Sequence, residues 1–192
     1  MKVIFLDFDG VLYGHHDMYD ENFIQIDESV KKERLEQKIK LLGDICKSFD
    51  SKIVIESSYK DLIDEDTLET NVDWIKEILD LMKKNDIEVV GRTPNLEEVR
   101  EDYNGNPPIW KEDEILGYID RHKEVEYYCV LDDDDLKAMH RKSDLDKVRD
   151  HLVETIWCGE SKPYNEGLQE YHKEKIGKIL EKKINREHIR RI

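Results

Sequence analysis

The stretch Val3–Tyr13, VIFLDFDGVLY, runs an apolar segment straight into two aspartates and a glycine. Val3 to Phe8 has the length and near-continuous apolarity of a parallel strand covered on both faces. In an open parallel sheet, ligands bind where the strands end, at the carboxyl edge. Asp7 and Asp9 are separated by the single residue Phe8, so in an extended segment both face one ligand while Phe8 turns to the core. Gly10 then permits the close turn that follows.

Four more runs of strand length follow, at Lys52–Ile55, Ile87–Val90, Tyr127–Leu131 and Leu152–Ile156. Helical patterns lie between them. Leu35, Ile39, Leu42, Cys46 and Phe49 fall at 3-4 spacing, as do Leu68, Val72, Ile75, Leu79 and Met82. Ile115 and Ile119 mark a further helix, and Leu168, Tyr171, Ile176, Ile179, Leu180 and Ile184 the last. Such stripes are core-facing sides of amphipathic helices. Strand–helix alternation of this kind predicts an α/β fold, a three-layer Rossmann-like sandwich around a mainly parallel sheet. Residues 1–192 suit one domain. Residues 14–27 and 92–110 read as long connections bordering a working site, and neither is large enough for a cap domain.

Composition narrows the function classes. A net charge of −15 argues against extended capture of a nucleic-acid backbone. The charge is uneven, however, with eight Lys/Arg against four Asp/Glu between Gln169 and Ile192, so residues 168–192 read as a basic C-terminal helix. No apolar run approaches the roughly 20 residues needed to span a bilayer, so no membrane partner is expected. The N-terminus lacks the pattern of a signal peptide. Cys46, Cys129 and Cys158 are scattered and odd in number, which predicts reduced thiols and a cytoplasmic location.

Acids and hydroxyls recur at the strand ends. The first strand ends in Asp7-Phe8-Asp9-Gly10, the second in Glu56-Ser57-Ser58, and the fourth in Asp132 to Asp135. Carboxylates crowded at one edge raise each other's pKa values unless a cation neutralises them. An oxygen-rich, thiol-free cluster suits Mg²⁺.

With these residues in place the chain resembles the haloacid dehalogenase (HAD) superfamily of phosphotransferases. FLDFDGV gives the first motif, the hydroxyl in IVIESSYK the second, Lys111 in IWKEDEI the third and VLDDDD the fourth, in order. IVIESSYK, VVGRTPN, WKEDEILGYID, YYCVLDDDD and LVETIWCGESKPYNEGL together resemble the small capless subgroup associated with RNA repair proteins. That subgroup usually shows Ser/Thr-Ser-Trp-Arg where this chain has Ser57-Ser58-Tyr59-Lys60.

The resemblance implies a Mg²⁺-dependent phosphomonoester hydrolase working through an aspartyl phosphate. Asp7 would be the nucleophile and Asp9 the general acid/base. Ser57, or Ser58 beside it, would bind a phosphoryl oxygen, with Gly10 also at the substrate. Lys111 would offset the charge on the nucleophile and phosphoryl group, with Lys60, Arg92 and Arg100 as rival cations. Mg²⁺ would be held by Asp7, the main-chain carbonyl of Asp9, and Asp132, with Asp133 second or through water. Asp134 and Asp135 would be spectators or a helix cap, and His15 and His16 would be solvated or touch substrate. The expected partner is a phosphorylated substrate, either a nucleic-acid 3′-phosphate end or a small phosphomonoester. Two other readings stand beside this one: a phosphoacceptor signalling domain, and a non-catalytic HAD-like domain binding a partner through its basic tail.

Overall fold

The computed structural model describes residues 1–20, 22, 24–96, 111–133, 148–155 and 166–184. Its centre is a five-stranded, all-parallel sheet. The strands are β1 (Lys2–Leu6), β2 (Ser51–Ile55), β3 (Val89–Arg92), β4 (Tyr127–Asp132) and β5 (Leu152–Glu154), in spatial order β3-β2-β1-β4-β5. The helices are α1 (His15–Met18), α2 (Glu28–Phe49), α3 (Asp73–Lys84), α4 (Lys111–Arg121) and α5 (His172–Ile179). This is the α/β sandwich expected.

The strand period of two splits the core into two layers. Ile4 and Leu6 of β1, Ile53 and Ile55 of β2, and Cys129 and Leu131 of β4 pack with the buried faces of α2, α3 and α5. Val3, Phe5, Val54, Tyr128 and Val130 pack on the other side with Ile115, Leu116, Tyr118 and Ile119 of α4. Side chains of one parity therefore face α4, a division that reappears at the strand ends.

Several expected boundaries move, each for a local reason. β1 stops at Leu6 rather than Phe8. Although Asp7 N still donates to Leu131 O, the Phe8 carbonyl already accepts from Leu12 and Tyr13 in a turn through Gly10, whose φ is +68°. The strand expected at Ile87–Val90 is Val89–Arg92. Ile87 N donates back to Met82 O and Asp86 N to Lys83 O, with Asp86 at φ +57°. That is a Schellman ending, which draws Ile87 into the close of α3.

The helix expected from Leu68 begins only at Asp73. Asp64 accepts from the backbone of Asp66 and Thr67, and Leu68 takes φ +57°, fixing a turn instead. Leu68 and Val72 still pack against the core, so their helix-like spacing has another origin.

The described residues between 14 and 27 carry regular structure rather than a plain loop. Gly14 N donates to Asp17 Oδ2 at 2.8 Å to start α1, Tyr19 bridges Gln25, and buried Asp17 pairs with Lys38 at 3.2 Å. The expected 168–192 helix is the shorter α5. Leu168 N is held by Val11 O, and Ile184 N returns to Glu126 O. Ile156, most of the 92–110 connection and the end of the basic tail lie outside the described residues. Among the described residues no helix is long and apolar enough to cross a membrane.

Candidate active site

The register of the sheet builds the site. Leu6 pairs with Ile55 on one side and Leu131 on the other. The next residue along each strand direction is an acid, so Asp7, Glu56 and Asp132 stand abreast on three adjacent strands. Their parity is that of Phe5, Val54 and Val130, which places all three on the α4 side. All three are buried.

Lys111, the first residue of α4, meets them. Its ammonium donates to Asp7 Oδ2 at 2.5 Å and to Asp132 Oδ2 at 2.8 Å, and it lies 3.7 Å from Glu56 Oε2. Burial acts to lower the Lys111 pKa, but Glu56, Asp132 and Asp7 outweigh it and hold the group above the ordinary lysine value. A cation at a helix N-terminus opposes the helix dipole. Here the three carboxylates, with Glu112, Asp113 and Glu114 in the first turn, offset that penalty.

The rival cations have other main partners, although Lys60 also lies 4.0 Å from Glu56 Oε1. Lys60 pairs with Glu114 at 2.6 Å, and Arg92 lies 3.7 Å from both Asp61 and Glu65. Arg100 lies outside the described residues.

Asp7, Asp132 and Asp133 each offer a carboxylate oxygen, and these atoms lie within 4.8 Å of one another. Burial, Asp132 and Asp7 push Asp133 up to about 7, against the pull of Lys111. Four acids around one lysine leave an excess of negative charge, and their hard oxygen donors fit a metal ion. The turn beneath them is tightly fixed. A Cβ on Gly10 would fall 2.1 Å from Asp133 Cγ, and Thr155 Oγ1 donates to Gly10 O at 2.9 Å.

Asp9 sits apart, at the exposed mouth of the site. Partial burial and the nearby Asp7 raise its pKa, while a hydrogen bond from Tyr59 and the charge of Lys111 act in the opposite sense. Ser57 is buried at the end of β2, where its Oγ accepts from Tyr59 N at 3.4 Å. Ser58 is exposed. Asp134 and Asp135 lie outside the described residues. His15 contacts Tyr19, with ring centroids 5.1 Å apart.

Glu56 received no role from the sequence, yet it is the third acid of the row. Only 1% of it is exposed, and neither carboxylate oxygen has a hydrogen-bond partner among the described residues. Burial pushes its pKa up to about 8, despite Lys111 and Lys60. The available signal was parity, since Glu56 follows Val54 by two residues as Asp7 follows Phe5. Tyr59 was also missed, because its link to Asp9 crosses between two turns.

A family model described as "HAD domain in Swiss Army Knife RNA repair proteins" matches residues 3–158. No curated protein and no solved structure matches.

Proposed function

The chain belongs to the family of HAD domains in Swiss Army Knife RNA repair proteins, and from that premise we propose that it is a Mg²⁺-dependent phosphomonoester hydrolase acting through Asp7. The observation that carries this reading is Lys111 Nζ lying between Asp7 and Asp132, at 2.5 and 2.8 Å, at one strand edge. A cation set against two carboxyl groups at that point prepares the edge to receive a dianionic phosphoryl group.

Asp7 attacks phosphorus with a carboxylate oxygen, and the bond from phosphorus to the ester oxygen breaks. Asp9 gives its proton to the departing oxygen. It then takes a proton from the water that attacks the aspartyl phosphate, releasing orthophosphate and restoring Asp7. Asp9 lies against Tyr59, with its pKa raised by partial burial and by Asp7. The buried Ser57 hydroxyl accepts from Tyr59 N, which leaves its own proton to donate to a phosphoryl oxygen.

Mg²⁺ would be held by Asp7, Asp132 and Asp133 with the main-chain carbonyl of Asp9, and when bound it supplies charge neutralisation and alignment of the phosphoryl group. A phosphoacceptor domain has no use for a leaving-group acid, so the Tyr59–Asp9 arrangement favours a hydrolase. The substrate is a phosphorylated nucleic-acid end or a small phosphomonoester.

A panel of phosphomonoesters, including RNA and DNA with 3′- or 5′-phosphate ends, tests the proposal when assayed with and without Mg²⁺. Hydrolysis that requires Mg²⁺ and disappears in Asp7→Asn is expected. Mg²⁺-independent turnover, or turnover retained in Asp7→Asn, would refute it.

A further inference from the structure

A cavity of about 770 Å³ opens beside Asp9, between α1, α2, α3 and the turns after β1 and β2. We infer that this cavity is the leaving-group pocket and that its aromatic walls hold the base of a terminal nucleoside. The inference rests on the phosphatase reading for its chemistry, and on the cavity for its choice of substrate.

Position is the first argument. The group that departs from phosphorus is the group Asp9 protonates, so it must lie on the Asp9 side of the reacting centre. Asp9 is itself part of the cavity wall. Tyr59 joins the two functions. Its side chain is near enough to Asp9 to act on the Asp9 pKa, and its ring lies edge to face with Trp74 at 4.8 Å and 85°.

The lining is the second argument. Tyr13, His15 and Tyr19 of the stretch after β1, Tyr59 of the turn after β2 and Trp74 of α3 line the cavity. Tyr19 is 38% exposed and Trp74 37% exposed, so ring surface is open to an incoming planar group. Phe8 braces Trp74 at 6.4 Å and 79°, and His15 braces Tyr19. Rings fixed by other rings lose little freedom on binding, which favours affinity. Aromatic side chains are the usual stacking platforms for unpaired bases.

Charge and size give the third argument. Lys31 pairs with Glu28 at 2.5 Å and Lys32 with Glu77 at 2.6 Å, so the cations lining the cavity are matched by acids. The pocket therefore suits a neutral group better than a second phosphate. Its volume falls within the roughly 300–1,000 Å³ of ligand pockets, larger than a lone phenol ring needs and ample for a sugar with its base.

The test compares adenosine and uridine 5′-monophosphates with ribose 5-phosphate, the same ester without a base. The 3′-monophosphates and O-phosphotyrosine serve as further arms. Wild type should prefer nucleotide to ribose phosphate by at least about tenfold in kcat/KM. That ratio should fall at least about fivefold in Trp74→Ala and Tyr19→Ala, the low end of the range expected for one stacked base. It should not move in Tyr171→Ala, whose ring is 64% exposed outside the cavity. An unchanged ratio in both cavity variants, or a preference for O-phosphotyrosine, would overturn the inference. Should wild type hydrolyse none of these esters, the phosphatase reading fails separately. The pocket is then judged by adenosine and uridine alone. Saturable quenching of tryptophan fluorescence that is lost in Trp74→Phe supports it, and no quenching overturns it.

Discussion

Asp7 and Asp9 are two residues apart, yet their surroundings differ sharply. Asp7 is buried, with Oδ1 accepting from Phe8 N at 2.7 Å and Oδ2 from Lys111, so both oxygens are held as acceptors. Asp9 is exposed and lies against Tyr59, with its pKa raised by partial burial and by Asp7. On the proposed mechanism, these contrasting environments would divide the nucleophile and acid roles between the two carboxyls. Asp9→Asn is therefore expected to slow alkyl phosphate hydrolysis about 10²- to 10⁴-fold. The loss with p-nitrophenyl phosphate, whose leaving group needs little protonation, should be much smaller. Steady-state rates across leaving groups of graded pKa check this, and equal losses for all of them would remove Asp9 from the acid role. At this scale the sequence was informative wherever a motif fixed the residue. Asp7, Lys111, Asp132 and Asp133 stand together at the strand ends, while Asp9 lies apart against Tyr59. Glu56 escaped because an acid after a strand reads as a simple strand end, and only its register with Asp7 reveals it.

Between elements, the pair Lys60–Glu114 ties the turn after β2 to the first turn of α4, the helix that carries Lys111. Both side chains are about nine-tenths buried, so removing one partner strands a charge. Lys60→Met should cost about 3–5 kcal/mol in urea unfolding, and adding Glu114→Leu should recover most of it. A loss below about 1 kcal/mol for the single variant would show the pair to be incidental.

At the start of α5, the buried His172 accepts from Gln169 N at 3.0 Å through Nδ1. Burial, with Lys175 and Lys38 nearby, lowers its pKa from 6.5 to about 4. Between those values the unfolded chain takes up a proton that the folded chain refuses. The stability present above pH 6.5 is thus lost as pH falls toward 4, on the order of 1–3 kcal/mol. His172→Asn should flatten that part of the pH–stability curve in urea titrations at pH 7 and pH 4.5. An identical pH dependence in both proteins would contradict the assignment. Element type was legible from periodicity, but several ends were not. Asp64 and Asp86 turn the chain through side-chain bonding and positive φ, and neither act leaves a mark in the apolar pattern.

For the whole molecule, the spatial order β3-β2-β1-β4-β5 decides which acids meet. β1 lies between β2 and β4, so the leading aspartate gains an acid on each side and α4 sets its lysine over all three. The sequence indicated a parallel sheet with acids at one edge. It could not show that Glu56 and Asp132 flank Asp7, because strand order follows from long-range pairing. The net charge of −15 opposes grip along a polyanion. Under the proposed function a single phosphate would need only Lys111 and a metal ion as its counter-charges.

The central claim is that Asp7 carries the phosphoryl group. Rapid quenching of wild-type protein during turnover of p-nitrophenyl phosphate with Mg²⁺, followed by borohydride trapping and peptide mass spectrometry, tests it most directly. Conversion of the Asp7 side chain to that of homoserine, the borohydride product of an acyl phosphate there, is the predicted result, and it should be missing from Asp7→Asn. Full-rate hydrolysis with no phosphoryl group on Asp7, or with the group on another residue, would contradict the account.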